Sequence, residues 1–179
     1  MQKKSFLTYE NIILIALMCL AVFSRLIKHE WNFTAVFAAS FAFAVMFPKA
    51  RVKSLILMFG SMLVSDIVIG FHNTMAFVYL GFALSLLPVY FAQKNVTRFA
   101  ALLFGSLVFF LISNFGVWFS GNLYTHDLNG FVNCLAMGIP FYKNQFMADM
   151  LLTPSLISMI IIAKNNFATA AYCSNRSEI

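Results

Sequence analysis

The chain contains 179 residues, of which 61% are hydrophobic and only 10% are charged. Soluble domains carry about 45–50% apolar and about 25% charged residues, so this composition excludes an ordinary soluble domain and a disordered tail. A bilayer span takes about 20 residues, which allows about six spans and leaves no room for a second domain. We therefore predict an all-α polytopic membrane protein, formed by one integral membrane domain with six transmembrane helices.

Six apolar segments follow one another along the chain, at residues 6–26, 33–47, 54–71, 75–92, 99–119 and 145–163. The first segment follows Lys3 and Lys4, as the core of a signal peptide would. However, the bulky Phe23 leaves no small-x-small cleavage site, so we predict a retained helix. The second segment is short, and we expect it to be buried, steeply set or lengthened by its flanks. Pro88 predicts a kink near the end of the fourth.

The connection between the fifth and sixth spans, residues 120–144, is too long for a simple turn. Its middle is mostly apolar and contains Gly130 and Gly138, and Pro140 follows. We predict a lid-like loop here, either an interfacial helix or a re-entrant segment over the outer opening of the bundle. Such a segment is stable at membrane depth only where protein surrounds its backbone.

The basic residues indicate how the chain is oriented. The net charge is +6, and in a membrane protein such an excess reflects topology rather than nucleic-acid binding. Only Arg25, Lys28 and Lys143 lie in the odd-numbered connections. The other nine lie at the termini and in the even-numbered connections: Lys3, Lys4, Lys49, Arg51, Lys53, Lys94, Arg98, Lys164 and Arg176. Because cytoplasmic loops attract Lys and Arg, both termini are predicted to be cytoplasmic.

Polar side chains gather in the half of the spans that this topology places outside. An ionisable side chain is costly in hydrocarbon, so it usually faces the bundle interior or a cavity. We predict an outward-facing cavity that binds a small-molecule solute, with these contributing residues: His29, Asn32, Asp66, His72, Tyr79, Asn114, Trp118, Tyr124, His126 and Asp149. A purely structural hydrogen-bonded set among Asp66, Asn114 and Asp149 is the alternative interpretation.

The sequence carries no pattern of a cofactor or metal site. Cys19, Cys134 and Cys173 have no metal-binding spacing, and they do not suggest a disulfide framework. There is also no intramembrane-protease Gly-x-Ser pattern with a matching His, no metalloprotease helix motif and no glycine-rich phosphate loop. We therefore expect neither catalytic residues nor a bound cofactor or metal, and we predict that the protein is not an enzyme.

Two groups of motifs resemble a known kind of protein. They are Arg25-Leu26, His29, Asn32-Phe33-Thr34 and Ser65-Asp66 in the first half of the chain, and the block from Phe109 to Trp118, Tyr124, Gly130 and Ile139-Pro140-Phe141 in the second. Together, over residues 25–155, they resemble an uncharacterised bacterial six-helix membrane family. That family is similar to the substrate-binding S components of energy-coupling-factor vitamin transporters.

The resemblance implies an S-component-like bundle in the bacterial inner membrane, with a small-molecule site under the outer loops. It also implies an energising transport module as a partner. S components usually dock to that module through an Ala-xxx-Ala face on the first helix. Here the first span has Ala16 and Ala21, which do not have that spacing, so a solitary transporter is the alternative.

These observations lead to one leading hypothesis of function and two alternatives. The leading hypothesis is a transporter, or a substrate-binding subunit, for a vitamin-like small organic solute. The first alternative is a structural or assembly membrane protein that binds an envelope partner. The second is a solitary cobalamin-type transporter whose cobalt is ligated by one of His29, His72, His126 or Cys134, since imidazole and thiolate both suit that metal.

Overall fold

The computed structural model describes residues 8–28 and 32–176, with side chains as far as residue 167. Within these ranges the chain is all-helical and contains no strand. A 3-10 turn, Leu87–Tyr90, follows the fourth of six α-helices: α1 (Tyr9–Leu26), α2 (Val36–Met46), α3 (Arg51–Ile69), α4 (Met75–Leu86), α5 (Asn95–Ser120) and α6 (Leu128–Arg176). The predicted all-α class is confirmed, and the break at Pro88 takes the form of this turn.

Polar contacts at both ends of α1 and α3 fix the direction of the first helices. Lys53, in the first turn of α3, pairs with Glu10 at the start of α1 at 2.5 Å. Arg25, at the end of α1, pairs with Asp66 near the end of α3 at 2.6 Å. The two helices are therefore parallel, and α2 connects their opposite ends. Since Tyr79 in α4 also contacts Asp66, α4 starts beside the end of α3 and runs antiparallel to it.

Glycines bring α4 and α5 into close antiparallel contact. A Cβ atom on Gly116 would lie 2.4 Å from the Phe77 Cβ atom, and one on Gly105 would lie 2.4 Å from the Ser85 carbonyl oxygen. Both distances are below van der Waals contact, so only glycine permits this approach. Consecutive helices thus alternate in direction, and the described residues 32–35 lie with connections 70–74 and 121–127 at one end of the bundle.

The short helix α2 is the centre of the structure. Every residue from Val36 to Ala44 is buried, and α2 packs against α1, α3, α4 and α6. Alanines at helical spacing, including Ala35 and Ala39, let neighbouring backbones approach closely. Of the three possibilities for a short second segment, the structure therefore selects a buried helix.

In the described part of the chain, four helices are long and apolar enough to cross a membrane: α1, α3, α5 and the Leu128–Phe167 part of α6. Two shorter apolar segments, Val36–Met46 and Met75–Tyr90, accompany them. A helix rises about 1.5 Å per residue, so the 40-residue apolar part of α6 is about twice as long as the hydrocarbon core is thick. Several helices thus have the properties of membrane spans, and part of α6 extends beyond any bilayer that contains the others.

The predicted lid-like loop is the main difference between sequence and structure. Residues 128–144 belong to α6, which begins at Leu128 rather than at residue 145. Gly138, one of the glycines that suggested a loop, instead allows α5 and α6 to pack closely, because a Cβ atom at this position would lie 2.4 Å from Asn114 Oδ1. Pro140 and Pro154 both lie inside the helix, as prolines do in apolar helices where neighbouring groups satisfy the freed backbone.

Candidate functional site

A cavity of about 430 Å³ lies among the three connections at one end of the bundle and extends between α5 and α6. Residues of all three connections and of all six helices except α3 contribute to its wall. The polar part of the wall consists of Arg25, Asn32, Thr34, His72, Thr74, Ser113, Asn114, Tyr124, Gln145 and Asp149. Ligand sites in proteins typically enclose about 300–1,000 Å³, so this cavity has the size of a small-molecule site.

The structure brings half of the ten predicted site residues to this cavity. Its wall includes Asn32, His72, Asn114, Tyr124 and Asp149. The remaining described residues lie beside the cavity and hold parts of its wall in place, as set out below. His29 lies outside the described residues.

Asp66 and Tyr79 belong to a buried ion-pair network behind the wall. The Asp66 carboxylate accepts a hydrogen bond from the Tyr79 hydroxyl at 2.9 Å and pairs with Arg25 at 2.6 Å. The Arg25 guanidinium also donates to Ser65 Oγ at 2.6 Å and to the Met62 carbonyl oxygen at 3.2 Å. Arg25 itself lines the cavity, so this network fixes a cationic side chain at the wall and joins α1, α3 and α4.

Trp118 and His126 hold the connection between α5 and α6. Trp118 Nε1 donates to the Thr125 carbonyl oxygen at 2.9 Å, and His126 Nε2 lies 3.1 Å from the Gly121 carbonyl oxygen. The two rings are in edge contact, with centroids 5.7 Å apart. Their position explains how Tyr124, in the same connection, is held at the cavity wall.

Asp127 fixes the start of α6. Its carboxylate accepts hydrogen bonds from the Gly130 backbone N–H at 2.6 Å and from Thr125 Oγ1 at 2.8 Å. This is the geometry of an N-cap, which satisfies a free N–H group of the first helical turn. The two hydrogen bonds favour the charged form, so they lower the pKa of the Asp127 carboxyl below its ordinary value.

The α5–α6 side of the cavity depends on close packing around Asn114. Asn114 Nδ2 donates to the Phe110 carbonyl oxygen at 2.8 Å, one turn earlier in α5. Its Oδ1 atom faces Gly138 of α6, and the Cys134 thiol donates to the Asn114 backbone oxygen at 3.4 Å. The segment predicted as a lid therefore does contribute to the cavity, as a helix that supplies Cys134, Met137, Gly138 and Phe141.

Aromatic rings form the apolar part of the wall. Phe82 and Phe109 are in contact, with ring centroids 4.1 Å apart, and Phe37 of the central helix α2 lies in the same wall. These three side chains are buried, so the apolar surface belongs to the bundle interior. Such a surface suits the body of a flat or apolar molecule, while the polar groups opposite would orient it.

Asp149 is a fully buried ionisable group of the wall. It is 0% exposed, and its carboxylate faces Ser106 and Gln145. Ser106 lies near the middle of the 26-residue helix α5. Asp149 was predicted to lie in the outer half of the bundle. Since it faces Ser106, the cavity wall reaches to about the middle of α5, which is deeper than that prediction.

Sequence reasoning missed several residues of this wall. Gln145 was taken as the start of a span, although Gln145, Asp149 and Thr153 follow the i, i+4 spacing that places polar groups on one helix face. Arg25 is absent from the predicted site residues, although it precedes the connection on the same side as Asp66. No local signal identifies Phe37, because every residue of its helix is apolar or small.

Within the described part of the chain, no group of three or more His, Cys, Asp or Glu side chains could hold a metal ion. His72 and Cys134 both contribute to the cavity wall, whereas His126 does not. The His72 Nδ1 atom lies 3.2 Å from Thr74 Oγ1.

Comparison with known proteins establishes the family. Residues 6–171 match the Family of unknown function (DUF6580), and because the match covers most of the chain, the protein belongs to that family. No curated protein matches the chain significantly, and no solved structure does so either. The resemblance to S components of vitamin transporters is therefore a prediction from sequence motifs.

Proposed function

We propose that this DUF6580 member is a membrane transporter, or the substrate-binding subunit of one, which captures a vitamin-like small organic solute from outside the cell. The observation that carries the proposal is the cavity of about 430 Å³, reached from three connections at one end of the bundle, with the buried Asp149 in its wall. A structural protein has no need of such a cavity, and a buried charge facing it is costly unless it serves a function.

The direction of the cavity follows from the positions of the basic residues. Nine of the twelve Lys and Arg residues belong in sequence to the termini or to the even-numbered connections and their flanks. Five of them lie at the opposite end of the bundle, in or beside the connections before α3 and α5: Lys49, Arg51, Lys53, Lys94 and Arg98. By the positive-inside rule that end faces the cytoplasm, so the cavity faces outward, and we place the protein in the bacterial inner membrane. The alternating helix directions support six crossings, in which α2 is a short span enclosed by its neighbours and α4 is a short span packed against α5.

The contacts also bear on how solute would be released. Towards the other end of the bundle the centre is filled by the buried helix α2, and the buried side chains there are mostly apolar. The buried hydroxyls of that half include Ser40, Ser54 and Ser61, which donate hydrogen bonds to carbonyl oxygens of their own helices and do not line the cavity. Release inward therefore requires movement of the helices, driven by an energising module or by the bundle itself.

The alternatives are separable from this proposal. A cobalamin-type role is less favoured, since a cavity of this volume suits a drug-sized solute and a corrinoid is much larger. A structural or assembly role predicts a co-purifying envelope protein and no solute affinity. An enzymatic role is not proposed, since the Cys134 thiol contacts the Asn114 backbone oxygen and His72 contacts Thr74, and no hydrogen bond among the described residues pairs either of them with Asp149.

The direct test compares two tryptophan variants on α4. Val78 lines the cavity, so Val78→Trp fills it, whereas Leu80 is 50% exposed and points away, so Leu80→Trp is a matched control. The purified proteins are screened by thermal unfolding against water-soluble vitamins, and native mass spectrometry detects co-purified small molecules. We expect a solute to bind the wild type and Leu80→Trp but not Val78→Trp. Absence of any bound solute, together with a co-purifying protein partner, would contradict the proposal.

Orientation is tested by cysteine labelling in a cysteine-free background. His72→Cys and Lys94→Cys place single exposed thiols at opposite ends of the bundle. A membrane-impermeant maleimide should label His72→Cys in intact cells and Lys94→Cys only after permeabilisation. The reverse pattern would place the cavity on the cytoplasmic side.

A further inference from the structure

At the deep end of the cavity, polar side chains from α5 and α6 form a buried cluster, which we call the Asp149 cluster. Its members are Ser106, Gln145, Asp149 and Thr153, with exposed fractions of 0%, 6%, 0% and 2%. The three α6 residues follow one another at intervals of four, so they lie on one helix face, and Ser106 faces them from α5.

The Asp149 cluster has more hydrogen-bonding groups than it can satisfy itself. Both Asp149 oxygens, Gln145 Nε2, Ser106 Oγ and Thr153 Oγ1 are buried without a hydrogen bond of good geometry, although Ser106 and Gln145 approach the carboxylate and Tyr142 approaches Ser106. More than nine-tenths of buried polar groups in proteins have a well-formed partner, so a cluster whose members meet only at poor geometry requires an explanation. Two of the residues, Gln145 and Asp149, line the cavity, which places these groups where a ligand can reach them.

Among the described residues, no cationic side chain forms an ion pair with Asp149. The ion pairs there are Arg25 with Asp66 and Lys53 with Glu10. Arg25 and His72 are the basic residues of the cavity wall; Arg25 is held by Asp66, and His72 lies in the connection between α3 and α4. The deep end of the cavity is thus acidic, whereas its basic groups lie at the end formed by the connections.

We infer that the Asp149 cluster is the recognition point for a positively charged nitrogen of the solute, such as a protonated amine, an amidine or a protonated aminopyrimidine. This inference rests on the proposed solute-binding function and specifies its substrate class. The two carboxylate oxygens can accept two N–H bonds side by side, as they do from planar nitrogen groups. Gln145 supplies an amide beside them, which can orient the same group.

The remaining wall fits the rest of such a solute. Phe82 and Phe109 present aromatic surface beside the acidic end, and aromatic faces attract cations as well as apolar groups. A solute with a cationic nitrogen on a flat ring would therefore satisfy the buried carboxylate while its ring lies against these side chains. An anionic solute would meet the Asp149 carboxylate without a partner, so the cavity discriminates against it.

The test uses a matched pair of small probes, because benzamidinium and benzamide have nearly the same shape and differ in charge. Binding to the full-length purified protein is measured by calorimetric titration in detergent micelles at neutral pH. We expect wild type to bind benzamidinium at least about tenfold more tightly than benzamide, the range that a buried charge pair provides. Equal affinity for the two probes would overturn the inference whatever the behaviour of any variant.

Three variants then locate the effect. Asp149→Asn should remove the preference for benzamidinium, Asp149→Glu should retain it, and Glu10→Gln should leave it unchanged because Glu10 lies at the other end of the bundle. A preference that persists in a folded Asp149→Asn protein would assign it to another group and overturn the inference. If a vitamin or co-purified solute binds wild type and Asp149→Asn equally, only this inference fails. Failure of the proposed function itself would appear as the absence of solute from the wild type.

Discussion

The buried pair between Arg25 and Asp66 allows a quantitative prediction about what holds the cavity wall in place. Only 2% of the Asp66 side chain is exposed, compared with 16% of the Arg25 side chain. Replacing Arg25 by Met strands a fully buried carboxylate, which retains only the hydrogen bond from Tyr79. Breaking a buried pair in this way costs about 3–5 kcal/mol, so Arg25→Met should lower the free energy of unfolding by about that amount.

Because Asp66 is more deeply buried than Arg25, we expect the two single variants to lower the free energy of unfolding by different amounts. In Asp66→Asn the guanidinium keeps its bonds to Ser65 and Met62 and can turn towards the cavity. We therefore expect a smaller cost, about 1–3 kcal/mol, which is typical of a polar group left without one partner. The double variant Arg25→Met/Asp66→Leu removes both charges and should be less destabilised than the sum of its parts.

The assay is reversible unfolding in mixed micelles, followed by circular dichroism at neutral pH. Glu10→Gln serves as the control, because the Glu10–Lys53 pair is about one-third exposed on both sides and should contribute about 0–1 kcal/mol. Equal losses for Arg25→Met and Glu10→Gln would refute the reasoning, since burial would then have no effect. Strict additivity in the double variant would refute the claim that the two charges stabilise each other.

Two further predictions concern α6. Gly138→Ala should destabilise the protein by about 1–3 kcal/mol, because the added Cβ atom would lie 2.4 Å from Asn114 Oδ1. In the same unfolding assay, the double variant Gly138→Ala/Asn114→Ala should recover part of the lost free energy of unfolding. Asp127→Asn should lower the thermal midpoint at neutral pH. Folding lowers the pKa of the Asp127 carboxyl, so the charged carboxylate stabilises the fold above the ordinary value of 3.8, and this stabilisation is lost as the pH falls through the folded-state pKa. The thermal midpoints of wild type and Asp127→Asn should therefore converge in acid. A constant difference between them down to low pH would contradict the capping role.

Most of the helices could be located from sequence because apolar runs depend only on local composition. The first five predicted segments overlap α1 to α5, although α4 ends at Leu86 and the 3-10 turn continues to Tyr90. The sixth segment lies inside α6, but the earlier start of that helix was not predicted, because Gly130, Gly138 and Pro140 are local signals of a loop. In the folded protein Gly138 permits contact with Asn114 on another helix, and that contact is invisible to a reading of α6 alone.

The site was only partly predictable for a related reason. A polar residue in an apolar segment needs either a polar partner or a cavity, and this principle identified Asp66, Asn114 and Asp149. The principle does not tell which of these residues has a partner and which faces a cavity. Asp66 acquired Arg25 as a partner, whereas Asp149 lines the cavity without one, and the sequence pattern around the two acids is similar.

The amino-acid sequence by itself determined that the chain is all-helical and apolar enough for a membrane, and it indicated through nine of twelve basic residues which end is expected inside. These properties depend on the composition of each segment and not on which residues it contacts in the fold. Tertiary structure alone decided that α2 is the buried centre, that α6 begins at Leu128, and that Asp149 is, among the described residues, the buried acid without an ion pair. Each of these depends on contacts between helices distant in sequence, and a cavity is defined by several such contacts at once.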